Sequence, residues 1–275
     1  MMAKVIAWFA VLLILPPFPF LDEKEIDPIE HWAVLIGINS YKWGVLPYSI
    51  KEVEEFREVL LSNKLMWKDS HILLVKDARK KDVINAIDWL SKHADNNDVS
   101  IFYFVGHGCR NLTNEFISTI DGRISDIELD GYLDEVKGKT VVIIDACHSG
   151  GFVEDLKQKD RIIITACKKD ERTYQIKDLE NGLFGYFFIA CFKYLTKSAE
   201  FTFYVANVMI RYYSSKLSRE TNKSYYVHPQ MYDGTKGLTY IVYRHPYFAY
   251  FRSIVEALFQ SEFTGKVIRC KGFAL

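Results

Sequence analysis

Apolar positions along this chain fall into two alternating rhythms. His31–Asn39 (HWAVLIGIN) is a near-continuous apolar run, as expected for a strand covered on both faces. Ser49–Leu61 then follows helical spacing, with Ile50, Val53, Phe56, Val59 and Leu60 on one side. His71–Lys76 (HILLVK) predicts a second strand, Lys80–His93 a helix with Val83, Ile84, Ile87 and Leu90 inward, and Val99–Val105 (VSIFYFV) a third strand. Glu115–Gly122 reads as an excursion, a hairpin ending at Asp121-Gly122. Ser125 can cap a helix over Asp126–Val136, because Glu128 stands at the third helical position as in a capping box. Thr140–Ile144 and Ile162–Thr165 predict strands four and five, and Gly182–Leu195 and Phe203–Leu217 two further helices. Gly237–Tyr243 (GLTYIVY) predicts strand six.

Strands alternating with helices imply an α/β fold: a mostly parallel six-stranded sheet with helices on both faces. The pattern runs unbroken over about residues 31–243, so a single domain is expected there. Beyond it, residues 244–275 form a tail. Tyr247, Tyr250, Ile254 and Leu258, with Phe248, Phe251, Val255 and Phe259, make a broad apolar helix face. Packing onto the domain is the expected use of that face, and a membrane-surface or partner helix is the alternative.

The other end departs from the pattern as well. A basic start (Met1–Lys4) precedes an apolar run, Val5–Leu15, and Pro16, Pro17 and Pro19 end any helix. Eleven apolar residues are fewer than the roughly 20 needed to cross a bilayer. The pattern is that of an export signal over residues 1–21, removed or kept as a membrane anchor. A secreted, extracytoplasmic or membrane-anchored protein is therefore expected, with a buried N-terminal helix as the other reading.

Composition changes this picture in two ways. With 35 basic and 35 acidic residues the net charge is zero, which gives no electrostatic reason to expect nucleic acid as a partner. The five cysteines, Cys109, Cys147, Cys167, Cys191 and Cys270, are an odd set without regular spacing. A disulfide framework is not expected, and at least one thiol stays free as a nucleophile or a liability.

Candidate chemistry lies at two strand ends, where ligands bind in open α/β sheets. Strand three runs into Gly106-His107-Gly108, and strand four into Asp145-Ala146-Cys147-His148-Ser149-Gly150-Gly151. Adjacent parallel strands bring such ends together, so His107 can serve the thiol of Cys147 as its catalytic partner. The backbone N–H groups of Gly108 and Cys147 are candidates for the oxyanion hole. His148 adjoins Cys147, but successive residues at a strand end point in opposite directions. His107, Cys109, Cys147 and His148 are all metal-ligand types. No metal is expected, because neighbouring Cys and His do not readily face one ion and no CxxC spacing is present.

Phe104-Val105-Gly106-His107-Gly108 together with Asp145-Ala146-Cys147-His148-Ser149-Gly150-Gly151 resembles the clan of caspases, metacaspases and legumain. The Asp-x-Cys-His-Ser-Gly form is most similar to metacaspases and the caspase-like proteins of prokaryotes. Ile164-Thr165-Ala166-Cys167, Asn181-Gly182-Leu183-Phe184 and His228-Pro229-Gln230 fit later parts of that family, so the likeness covers about residues 31–243. The resemblance implies a caspase-like fold and a cysteine endopeptidase acting on a protein or peptide after Arg or Lys. It also implies an acidic S1 pocket. Asp145, two residues before Cys147 and so on the same strand face, is the first candidate for it, and Asp170 a second. Ser49 and Glu52 occupy the segment where metacaspases have Cys-x-x-Asp-Ala. The rival expectation is a catalytically silent caspase-like protein that binds peptides. No cofactor is expected, although Glu154, Asp155 and Asp160 in the short Phe152–Arg161 connection invite comparison with calcium-activated metacaspases.

Overall fold

The computed structural model describes residues 27–242. The expected leader and apolar tail, Tyr243 and Cys270 lie outside the described residues. The elements run β1 (His31–Gly37), α1 (Ser49–Leu61), β2 (Ile72–Lys76), α2 (Lys80–His93) and β3 (Val99–Val105). Next come β4 (Gly108–Arg110), β5 (Glu115–Ser118), β6 (Arg123–Ser125), α3 (Asp126–Leu133) and β7 (Lys139–Asp145). A 3-10 turn at Ser149–Gly151 leads into α4 (Phe152–Asp155) and β8 (Arg161–Thr165). The chain closes with β9 (Gln175–Ile176), β10 (Asn181–Gly182), α5 (Leu183–Tyr194), α6 (Ala199–Thr221) and β11 (Gln230–Asp233).

The main sheet has the order β11-β8-β7-β3-β1-β2, with every pairing parallel except that of β11 on β8. β1 and β3 are buried along their whole length, as continuous apolar runs in a doubly covered sheet should be. Residue parity assigns the faces. Ala33, Leu35, Ile101, Tyr103, Val141, Ile143, Ile162 and Ile164 share one core with α1, α5 and α6. Val34, Ile36, Phe102, Phe104, Val142, Ile144 and Ile163 share the other with α2, α3 and Phe152 of α4. The Glu115–Gly122 excursion belongs to a three-stranded antiparallel sheet, β4-β5-β6. The expected capping box is present: Glu128 N–H donates to Ser125 Oγ, and Ser125 N–H to Glu128 Oε2, both at 3.1 Å.

One element moves. The sixth strand is β11, not Gly237–Tyr243. The free edge of β8 is already paired with Gln230–Asp233, so the later segment has no strand to join. It ties instead to the start of α6, where Ala199 N–H donates to Thr239 C=O (3.0 Å) and Thr239 N–H to the buried Glu200 carboxylate (2.8 Å). Its alternating burial, with Leu238 and Tyr240 out and Thr239 and Ile241 in, mimics a strand without the ladder.

Candidate active site

Strand register brings the two motifs together. Val105 of β3 pairs with Asp145 of β7, so His107 and Cys147 each stand two residues beyond one level of the sheet. Both line a single cleft of about 340 Å³ counted to its open mouth, with Ser49, Glu52, Asp145, Thr173, Gln175 and Gly182 among its walls.

The imidazole of His107 is held from one side. Its Nε2 lies 3.1 Å from Gly44 C=O. A carbonyl can only accept, so the proton sits on Nε2 and Nδ1 keeps its lone pair. Tyr41 tilts against the ring with centroids 4.6 Å apart. Its hydroxyl bridges the backbone, accepting from His107 N–H (3.0 Å) and donating to Ser118 C=O (3.0 Å). Burial pushes the pKa of that phenol up, so it stays protonated.

Ser118 N–H also donates to His107 C=O at 2.9 Å, which makes His107–Ser118 the hydrogen-bonding pair at this point. By the alternation of antiparallel ladders, the next pair, Gly108–Ile117, is non-bonded. Gly108 N–H therefore turns away from β5. On Gly108, a Cβ would fall 2.1 Å from Cys147 C=O, so only glycine lets these two backbones approach so closely.

Cys147 is half-buried, and its thiol reaches Thr173 C=O at 3.8 Å. Burial raises its pKa and the nearby Asp145 charge adds to that, while Arg172 opposes, so the resting sulfur is a thiol. His148 is turned off the cleft by its left-handed backbone (φ 63°), and its Nδ1 accompanies Lys169 C=O at 2.9 Å. Among the described residues Cys109, Cys147, Cys167 and Cys191 are all unbridged.

Asp145 continues the odd-numbered positions of β7 and so faces α1. Ser49 and Glu52 lie on the buried stripe of that helix with Val53 and Phe56. Glu52 is fully enclosed; its Oε1 accepts from Tyr103 O–H (2.5 Å) and its Oε2 from Gly182 N–H (3.1 Å). A Cβ on Gly182 would lie 2.4 Å from Glu52 Oε2 and 2.9 Å from Asp145 Oδ2, which shows how closely the two carboxyl groups share this corner. Burial and the Asp145 charge push Glu52 well above the carboxylate range, whereas burial lifts Asp145 only to about 6. Of the two, Glu52 is thus the carboxyl that more readily keeps a proton and Asp145 the one that more readily carries the charge. Asp145 Oδ2 and Thr173 Oγ1 are buried, and among the described residues no partner meets either in good hydrogen-bonding geometry, though Thr173 and Glu52 stand close enough to hold the Asp145 pKa down. Ser49 is tied to the opposite wall, accepting from Gln175 Nε2 at 3.0 Å.

Of the residues expected from sequence, His107, Cys147, Asp145, Glu52 and Ser49 meet in this cleft, with Gly108 packed behind Cys147. Asp170 does not. It is exposed on the loop after β8, and the cleft is reached three residues later by Thr173. Thr173, Tyr41 and Gly44 were not legible, because they lie in loops without periodicity. The proposed acidic trio also separates. Glu154 pairs with Lys157 (2.8 Å) and Asp160 with Lys159 (3.5 Å). Asp155 instead converges with Glu115 and Asp126, their oxygens within 4.8 Å of one another. Both Asp126 oxygens are already engaged, by Asn114 Nδ2 and Ile127 N–H on one and Glu115 N–H on the other.

Residues 30–233 match the family model described as a caspase domain. Metacaspase-1B of Neurospora crassa is 27% identical over 144 residues, covering 44% of this chain and 34% of that one. Metacaspase-1 of Botryotinia fuckeliana is 30% identical over 142 residues, covering 43% and 34%. This chain thus spans about a third of the length of the curated relatives it matches. A crystal structure of a Geobacter sulfurreducens protein superposes with a TM-score of 0.56 at 14% identity, over 79% of this chain and 98% of that one, a likeness of fold.

Proposed function

The chain belongs to the caspase-domain family of cysteine peptidases, and on that premise we propose that it is an endopeptidase in which Cys147 and His107 cut peptide bonds after Arg or Lys. The observation that carries the reading is the cleft itself: one thiol, one imidazole with a free Nδ1, and one buried, partnerless carboxylate oxygen share it.

In the step this supports, a substrate carbonyl sits between Cys147 Sγ and the N–H groups of Gly108 and Cys147. His107 takes the thiol proton at Nδ1 as sulfur attacks, and the backbone donors receive the oxyanion. The same proton then passes to the leaving amine. Water, deprotonated by His107, releases the acyl group from sulfur. The Gly44 carbonyl keeps the ring oriented through both transfers.

Specificity follows from unmet acceptors. A P1 Lys brings three donors and an Arg five, all charged, to Asp145 Oδ2 and Thr173 Oγ1. That cation also offsets the Asp145 charge that raises the thiol, so substrate binding eases thiolate formation. An Asp side chain would meet a like charge instead. Fluorogenic peptides ending in Arg or Lys should be turned over about a hundredfold or more faster than Asn or Asp versions. Faster cleavage of the Asn or Asp peptide would overturn the assignment.

The Tyr41 bridge yields a second expected result. Tyr41→Phe removes the hydroxyl between His107 N–H and Ser118 C=O, leaving two backbone groups unmet near the ring. A loss of about 1–3 kcal/mol, expressed at the His107 position, should lower kcat roughly tenfold with little change in KM. Thermal unfolding run alongside gives the control: a drop in Tm with an unaltered kcat would leave Tyr41 a purely structural residue.

A further inference from the structure

The loop that joins β8 to β9 supplies one wall of the cleft through Thr173, whose C=O faces the Cys147 thiol and whose Oγ1 lines the corner with Asp145. A loop wall keeps its shape only when neighbouring bonds lock it in place. The downstream tie is plain. Tyr174 C=O accepts from Leu183 N–H (2.8 Å), and the Gln175 amide meets Tyr48 N–H (3.2 Å) and Ser49 Oγ (3.0 Å).

Upstream, the tie is Glu171, two residues before Thr173. Its Oε2 accepts from Lys168 N–H (3.2 Å) inside the loop and from His228 N–H (2.9 Å) outside it. Its Oε1 lies 2.5 Å from His228 Nδ1. As a carboxylate Glu171 only accepts, so Nδ1 carries the proton, and all three bonds are charge-assisted. The backbone of the same residue reaches the nucleophile's turn. Glu171 C=O accepts from His148 N–H (2.9 Å) and from the Cys167 thiol (3.4 Å).

His228 is a firm post for this tie. Val227 before it is buried in the core, and β11 begins two residues after it, paired with β8. Gln230 Nε2 donates back to His228 C=O (2.8 Å) and Pro229 C=O (2.9 Å). The His228-Pro229-Gln230 motif thus ends a rigid sheet edge beside a loop that would otherwise be held upstream of Thr173 by backbone and thiol contacts alone.

We propose that Glu171 and His228 are positioning residues of the peptidase: their pair fixes the β8–β9 loop so that Thr173 stands beside Asp145 and receives the basic P1 side chain. The inference rests on the peptidase reading and adds to it the pair that sets the S1 wall. Neither residue lines the cleft, so both act through Thr173.

Steady-state kinetics on Arg peptides tests it. Glu171→Ala removes three charge-assisted hydrogen bonds upstream of Thr173, so KM should rise about tenfold with kcat within about threefold. His228→Ala, which cuts the ring contact from the other side, should raise KM in the same direction. Both side chains are half-buried, so the variants should fold. Alkylation of Cys147 by iodoacetamide needs no S1 contact and should keep the parent's rate within a few-fold. An unchanged KM in both variants overturns the proposal, and a lower Tm beside it leaves the pair a purely structural tie. A rise in KM matched by an equal loss of alkylation overturns it too, because the damage then lies at the nucleophile. A parent chain that cuts neither Arg nor Lys peptides overturns the peptidase reading and this inference together, whereas an active parent with indifferent variants overturns this inference alone.

Discussion

Replacing Cys147 with alanine should abolish peptide hydrolysis, lowering kcat by at least about a thousandfold, the scale on which removal of an enzyme nucleophile acts. The expectation rests on position, since other thiols are present. Cys167 is enclosed, its sulfur 3.5 Å from Ala146 C=O and 3.4 Å from Glu171 C=O, and burial pushes it up to about 12. Cys191 is buried in α5 and likewise pushed up to about 12. Cys109 lies on β4 and is not among the residues that line the cleft. Cys109→Ala and Cys167→Ala should therefore keep activity within a few-fold. Steady-state kinetics on the purified variants decides the matter, and equal activity in all three would remove the mechanism.

Asp145→Asn should be nearly as damaging, but selectively. It exchanges the carboxylate meant for a basic side chain for an amide of the same shape. Losing a buried charge pair costs roughly 2–5 kcal/mol, so kcat/KM on Arg peptides should fall about a hundredfold or more. Folding should respond in the opposite direction. The carboxyl titrates at about 6 in the folded chain against 3.8 for an unburied one. Its folded pKa is raised, so between about pH 4 and pH 6 the unfolded chain releases the proton first. Raising the pH through that window favours unfolding, by up to about 3 kcal/mol for a shift of this size. The variant lacks this penalty. It should melt higher than the parent at pH 8 and lose most of that advantage at pH 4. A melting curve lower at pH 8 than at pH 4, relative to the parent, would show that Asp145 is not buried as a costly charge.

This opposition between stability and binding is physically coherent. A carboxylate set in a closed corner with Glu52, Tyr103 and Gly182 resists ionisation, and its free oxygen stays unmet until a cation arrives. Sites that bind charge often retain such strain.

The sheet was legible because its signal is strong and local. Ser49–Leu61, Lys80–His93 and Val99–Val105 form as the hydrophobic spacing predicts, to the residue. The paired motifs were equally plain, since glycines flank both the His and the Cys at strand ends. Errors arose where local pattern and global pairing compete. Gly237–Val242 alternates like a strand, but the available sheet edge belongs to Gln230–Asp233. Asp170 has the right charge, yet its loop must run on to Thr173 before it reaches the cleft. Resemblance places Glu52 in the pocket; its raised pKa comes from burial and from Asp145 across the helix–sheet interface, a separation of 93 residues (145 − 52) that no local pattern encodes.

Covalent capture tests the central claim most directly. A peptidyl chloromethylketone ending in Arg should add once to the full chain, and peptide mapping should place the adduct on Cys147, with an Asp-terminated analogue reacting far more slowly. No adduct, or one on Cys109 in place of Cys147, would contradict the account and leave a caspase-like fold that binds peptides without cutting them.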